Sequence, residues 1–166
     1  MADQTKTGEN NTNDERAQRR ARRQALIDVG VNPYPIASEV TAHAAQLEKD
    51  YANLPDGEDT QDVVSVAGRI RALRRQVAFI VLEDVSGQIQ LFCRVNDLGE
   101  EGWGLLRQLD LGDIIDATGC VLRTRRGQLS IAPTKLVLLS KSLRPLPEKF
   151  HGLTDREVRY RQRYVD

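Results

Sequence analysis

The sequence predicts a mainly β fold with α elements, a five-stranded barrel preceded by two N-terminal helices, and three observations lead there. Apolar and polar residues alternate with period two from Val63 to about residue 139. Short glycine-containing turns at Ser86-Gly87 and Arg126-Gly127 divide that stretch. Ahead of it, two segments space their apolar side chains by three and four residues, as helices do. A length of 166 residues suits one domain of roughly 100 to 150 residues with tails, large enough to bury a core.

Residues 1–13 are polar and almost free of large apolar side chains, which predicts a disordered tail. A helical extension should follow over residues 14–62. Asp14 and Glu15 suit a helix start, Ala17, Ala21, Ala25 and Val29 recur every four residues, and Gly30 is placed to end the first helix. Arg16, Arg19, Arg20, Arg22 and Arg23 take up much of its remaining surface. They make either a solvated face or a site for a nucleic-acid backbone. Asn32-Pro33-Tyr34-Pro35 cannot continue a helix and should form a stiff connector. Ser38 is expected to cap a second helix whose stripe is Ala44, Leu47, Tyr51 and Leu54, closed by the turn Pro55-Asp56-Gly57.

Strands are predicted at about 63–74, 77–85, 88–95, 113–125 and 128–139. Between the third and fourth, Asp97 is expected to cap a short helix that turns Trp103, Leu106 and Leu109 or Leu105 toward the sheet. Three strands, one helix and two strands is the order of the OB-fold, a Greek-key barrel whose outer face and loops bind oligonucleotides. The OB-fold domain should span residues 63–142, leaving 143–166 as a linker.

Alternation within the strands assigns the two faces. Val64, Val66, Ile70 and Ala72 should point inward on the first strand, leaving Arg69 and Arg71 outside. On the second, Ala78, Ile80 and Leu82 fill the barrel and Phe79 lies outside; alone, the run VAFIV also admits the opposite parity. On the third, Ile89, Leu91, Cys93 and Val95 share one face, and Gln88, Gln90, Phe92 and Arg94 the other. Cations for phosphate, a flat ring for stacking and an amide for a base edge are what single-stranded nucleic acid requires.

Charge and the remaining motifs narrow the classes. Lys plus Arg and Asp plus Glu each total 24, so the net charge is zero. Residues 63–142, with 11 basic and 8 acidic groups, are nevertheless net +3, which permits a local polyanion site. Cys93 and Cys120 lack the paired spacing of a zinc site and read as buried free thiols of a reducing cytosol. His43 has no second ligand or carboxylate at a useful spacing and reads as a surface or packed histidine. The N-terminus has no apolar stretch of the signal-peptide kind, and no run of about 18 apolar residues occurs, so the expectation is a cytoplasmic protein with no membrane partner.

Taken in order, NPYP after a basic helix, VAGRI, SGQIQLF, LDLGDII, RTRRGQLS, SKSLRPLPEKFHGL and TDREVRYRQRYVD resemble the N-terminal anticodon-binding region of bacterial-type class II lysyl-tRNA synthetases. The likeness runs from about residue 16 to residue 166. It implies a barrel that grips the anticodon loop of a lysine tRNA, with Phe79 stacking on the central uridine and Arg69 and Gln90 hydrogen-bonding its edge. Gln128 stands where that family usually has a glutamate, a swap that removes a charge, keeps an acceptor and adds donors. The turn after the first strand is about two residues shorter than is usual there.

The resemblance also implies a parent enzyme, a homodimer that attaches lysine to tRNA, with ATP and magnesium bound only by a catalytic domain that would lie beyond Asp166. No phosphate loop, nucleophile pair or metal cluster occurs in the sequence, so catalytic residues, metal ligands and cofactors are expected to be none in this segment, which should be monomeric and non-catalytic. A general single-strand binder of the OB type and a protein-interaction module are the two alternatives.

Overall fold

The computed structural model describes residues 4–74 and 79–144, with side chains from Asp14 onward. Ala78, the turn before it and the expected linker beyond Arg144 lie outside those residues. Five strands, β1 (Asp59–Arg74), β2 (Phe79–Glu83), β3 (Gln88–Phe92), β4 (Ile114–Arg123) and β5 (Leu129–Ser140), close into a barrel in the order β1-β2-β3-β5-β4. Helices α1 (Gln4–Asp28) and α2 (Ala44–Asp50) precede it, and α3 (Val95–Gln108) separates β3 from β4. Neighbouring strands are antiparallel except β3 and β5, which meet in parallel at Gln90 with Ser130 and Leu91 with Ile131. This is the OB-fold order that the alternation predicts, filled by Ile70, Ile80, Leu82, Leu91, Ile115 and Ile131.

Of the register shifts in the barrel, at Ile70/Ala72, Asp59/Val63, Ile114/Ile115 and Thr118/Gly119, two bear on the site and the wall. On β1, Ile70 pairs with Leu82 but Ala72 with Val81, so Arg71 is an extra residue and the parity reverses after it. Leu73, not Ala72, therefore comes opposite the buried Ile80 and packs on the core, which corrects the inward position expected of Ala72. On β4 the register shifts between Thr118 and Gly119. A Cβ at Gly119 would lie 2.0 Å from the carbonyl oxygen of Ala132, so β4 and β5 approach there as only glycine permits.

Helix α1 differs from its expected form. It begins at Gln4, ten residues before Asp14, because extending an anchored helix adds a hydrogen bond for each residue fixed. Its packed stripe is Arg19, Arg22, Arg23 and Leu26, while Ala17, Ala21, Ala25 and Val29 are exposed. The reason is the surface beneath it. Arg19 is buried, donates to the carbonyls of Leu111 and Ser142 at 2.9 and 3.1 Å, and pairs with Glu15 at 2.8 Å. Arg22 bonds Asp110. Helix α1 stops as Gly30 predicts: Gly30 takes φ 82°, its N–H reaches the carbonyl of Ile27 at 2.9 Å, and that of Val31 reaches Leu26 at 2.9 Å.

Beside Arg22, a fully buried Lys141 donates to Asp110 and Asp113 at 2.7 Å each and to the carbonyl of Gln108 at 2.8 Å. The second oxygen of Asp113 accepts from the Ser142 N–H at 2.8 Å. These bonds tie the end of β5 to the turn between α3 and β4 and, through Arg19 and Arg22, to α1.

The caps of α2 and α3 also depart from expectation. Helix α2 starts after His43, and Ser38 instead hydrogen-bonds Asp116. The cap comes from the β2–β3 turn: Asp84 accepts from the N–H of Ala44 at 2.9 Å, and the Ser86 hydroxyl from that of Ala45 at 3.0 Å. Burial works to raise the Asp84 pKa, but hydrogen bonds from Ala44, the Ser86 hydroxyl, and the Ser86 and Gly87 N–H groups outweigh it and hold it at about 2. Strand β3 ends at Phe92, and α3 begins after Arg94, so Val95 is an exposed helical residue and Asp97 lies in the first turn instead of capping it. Leu98, Leu106 and Leu109 are buried against the barrel, with Trp103 and Leu105 partly so.

Replacing Lys141 by methionine should leave Asp110 and Asp113 without their ammonium and lower stability by about 3–5 kcal/mol in urea unfolding. Asp84→Ala should cost about 1–2 kcal/mol at pH 7. A carboxylate with a depressed native pKa stabilises above its unfolded value near 4. The difference between wild type and Asp84→Ala should therefore shrink as pH falls from about 4 toward 2, followed by the urea midpoint at each pH.

Candidate nucleic-acid interface

The outer face of β1, β2, β3 and the start of β5 presents its side chains in three rows set by the strand register. The first row is Arg74, Phe79 and Phe92, adjacent across β1, β2 and β3. The second is Ala72, Val81, Gln90 and Ser130. The third is Arg69, Glu83 and Gln88, and Gln128 precedes Ser130 by two residues, on the same parity. Adjacent strands are about 4.8 Å apart and same-face residues about 6.8 Å apart along a strand, so the first two rows fit one nucleotide with its neighbour.

Phe79 is outside the barrel, as the parity of Ile80 and Leu82 requires, and is half-buried only by its neighbours. Its ring stacks on Phe92 with centroids 4.8 Å apart and planes inclined by 21°. The guanidinium of Arg94 lies over Phe92, 5.1 Å from its centroid, and is anchored to Asp59 at 2.9 Å. Its hydrogen bond to Asp59 leads the contributions that raise the Arg94 pKa. Phe92 thus packs against both Phe79 and a pinned cation. Across β1, Arg74 is exposed, and no described residue pairs with its guanidinium.

Gln90 is half-buried one step along the face, where its amide nitrogen donates to the Ser130 hydroxyl at 2.9 Å. Arg69 shares the face but stands at its other end: it pairs with Glu83, four residues from Phe79, and donates to the Gly112 carbonyl at 2.9 Å. Arg71 forms an ion pair with Glu83 at 2.9 Å. Gln128 is exposed just before β5, after a turn closed by Gly127 at φ 80°. Of the four residues singled out from sequence, Phe79 and Gln90 therefore lie close together, and Arg69 and Gln128 flank them. Sequence reasoning did not place Arg74 beside Phe79, where only the β1 bulge brings it, and did not single out Ser130, whose parity with Gln128 was the available signal.

The rest of the described surface offers less chemistry. A concavity of 880 Å³ between α1, α3 and β5 is lined mainly by aliphatic side chains such as Leu26, Val29, Leu98 and Leu105, with Glu101 and Lys135 at its wall and no aromatic ring. Among the described residues no group of three His, Cys, Asp or Glu could hold a metal ion. Nor is any helix there long and apolar enough to cross a membrane. His43 is exposed, with its ring 3.3 Å from Asp84.

Residues 64–139 match the tRNA anti-codon family, described as OB-fold nucleic acid binding domains. The barrel belongs to that family. Around this OB-fold domain the chain is similar to lysine–tRNA ligases over most of its length. It is 46% identical over 153 residues to that of Dehalococcoides mccartyi, matching 90% of this chain and 31% of the relative. Identity is 43% to that of Streptococcus gordonii, over 93% of this chain and 32% of the relative, and 46% to that of Burkholderia vietnamiensis, over 90% and 30%. The chain thus spans about a third of the length of the curated relatives it matches. In OB-folds the face of strands 2 and 3 and the adjoining loops bind oligonucleotides, and the three rows described above include that face.

Cys93, inside the OB-fold barrel, has its thiol pushed up to about 12 by burial. It should stay unmodified by a disulfide reagent at pH 8 while the fold is intact and react once urea unfolds it, followed by mass spectrometry.

Proposed function

We propose that this chain docks a lysine tRNA through its anticodon loop and is the tRNA-reading part of a lysine–tRNA ligase. The observation that carries the reading is the juxtaposition of a surface ring, a guanidinium with no partner among the described residues and an orientable amide, Phe79, Arg74 and Gln90, on an OB-fold face. A central uridine stacks on the side of Phe79 that Phe92 does not cover, and Gln90 bonds its edge. Arg74 stands next to the phosphate or the base. Arg69 and Gln128, at the far end of the face, contact a flanking nucleotide or the backbone. Phosphate contacts place the loop and base contacts choose it.

Helix α1 adds to this in a limited way. Arg19 and Arg22 are occupied in holding the helix to the barrel, so any backbone contact falls to Arg16 and Arg20, which are exposed. Attaching lysine with ATP and magnesium requires groups other than those of this face, and we assign that chemistry to a catalytic domain outside these 166 residues. The translation role assigns the protein to the cytoplasm.

Binding of the 166-residue chain to a lysine anticodon stem-loop, followed by fluorescence anisotropy, tests the reading. Phe79→Ala should weaken binding by one to two orders of magnitude, about 1–3 kcal/mol. Arg74→Ala should weaken it and flatten the salt dependence by about one unit of slope. Equal affinity for stem-loops with any central base would point to a general single-strand binder. No RNA binding, or an unchanged affinity in Phe79→Ala, would defeat the assignment.

A further inference from the structure

We propose that Ser130 is a positioning residue that sets the base preference of this face by fixing which end of the Gln90 amide points outward. This rests on the anticodon-loop reading above and assigns its selectivity to a chain of hydrogen bonds inside the barrel wall. Ser130 is fully buried on β5, directly opposite Gln90 on β3, at the one parallel contact in the barrel. Its hydroxyl lies 3.3 Å from the main-chain carbonyl of Gln128, a group that can only accept. A serine hydroxyl has a single proton. With that proton on the Gln128 carbonyl, the oxygen toward Gln90 can only accept, and the amide nitrogen of Gln90 fills that role at 2.9 Å.

The consequence is a fixed polarity. Gln90 turns its NH₂ toward the barrel and its carbonyl oxygen Oε1 toward the face, where no described residue bonds it. An outward acceptor selects a base with a donor at the centre of its Watson–Crick edge. The N3–H of uracil and the N1–H of guanine meet that condition, whereas N3 of cytosine and N1 of adenine are acceptors and would face Oε1 lone pair to lone pair. Uracil and cytosine are near in size and stacking, so the pair isolates this effect from the ring of Phe79. Without Ser130 the amide is free to turn over, and the face then offers either a donor or an acceptor.

The test compares the full 166-residue chain and two variants against stem-loops that differ only in a central uridine or cytidine. Ser130→Ala removes the hydroxyl; Ser130→Cys fills a similar space with a poor hydrogen-bond partner. Both should keep the wild-type circular dichroism spectrum and lose at least about fivefold of the uridine-over-cytidine preference, mainly through tighter binding of the cytidine loop. Phe79→Ala should weaken both loops alike and keep most of the ratio. A merely structural role of Ser130 would lower both affinities together and leave the ratio unchanged, which would overturn the proposal while the anticodon reading stands. A wild-type chain that binds both loops equally would overturn the reading and this inference with it. If Ser130→Ala fails to fold, the ratio in Ser130→Cys decides: loss of preference supports the proposal, and a wild-type ratio overturns it.

Discussion

The functional surface depends on barrel closure through the parallel contact of β3 with β5, at Gln90 with Ser130 and Leu91 with Ile131. Without that contact the five strands would form one open antiparallel sheet in the order β3-β2-β1-β4-β5. Closure buries Leu91 and Ile131 in the core and, one residue earlier on each strand, brings Gln90 against Ser130 on the opposite side. One register therefore sets both the packing of the interior and the polarity of the face. A slip by a single residue would turn every side chain of the slipped strand to the other side.

A second constraint holds the closed barrel to its flanking elements. The ammonium of Lys141 among Asp110, Asp113 and the Gln108 carbonyl joins the end of β5 to the turn after α3, and the arginines of α1 use the same carboxylate and neighbouring carbonyls. Buried ions of this kind contribute position more than net stability, because their desolvation offsets most of their attraction. The division of the arginines follows from this. Arg19, held by two carbonyls, and Arg22, held by Asp110, are taken up in fastening α1, whereas no described carboxylate pairs with Arg74 at the face.

Much of the architecture was legible because it rests on local periodicity. The alternation through Ile80 and Leu82 and through Ile89 and Leu91 assigned Phe79 and Gln90 to the outer face, and the turns at Gly87 and Gly127 separated the strands. What escaped is set by contacts distant in sequence. The exposed alanine stripe of α1 was periodic but carried too little apolar surface to outweigh a carboxylate waiting for Arg22. Ser38 looked like a cap, but Asp116, 78 residues away, took its hydroxyl, and Asp84 supplied the cap from across the barrel. The bulge at Arg71 left no trace in the alternation, so Arg69 was the visible cation and Arg74 the one brought beside the ring. Ser130 was inconspicuous because an isolated serine in a strand becomes informative only when its partner strand is known.

The most direct measurement of the central claim is a two-dimensional amide NMR titration of the isotope-labelled chain with a lysine anticodon stem-loop. The account predicts that the shifted resonances map to Arg74, Phe79, Gln90, Phe92 and the residues around Ser130, including the Gln90 side-chain amide, with little change along α1 and α3. Shifts confined to the aliphatic concavity between α1, α3 and β5, with the Phe79 and Gln90 signals unmoved, would contradict it.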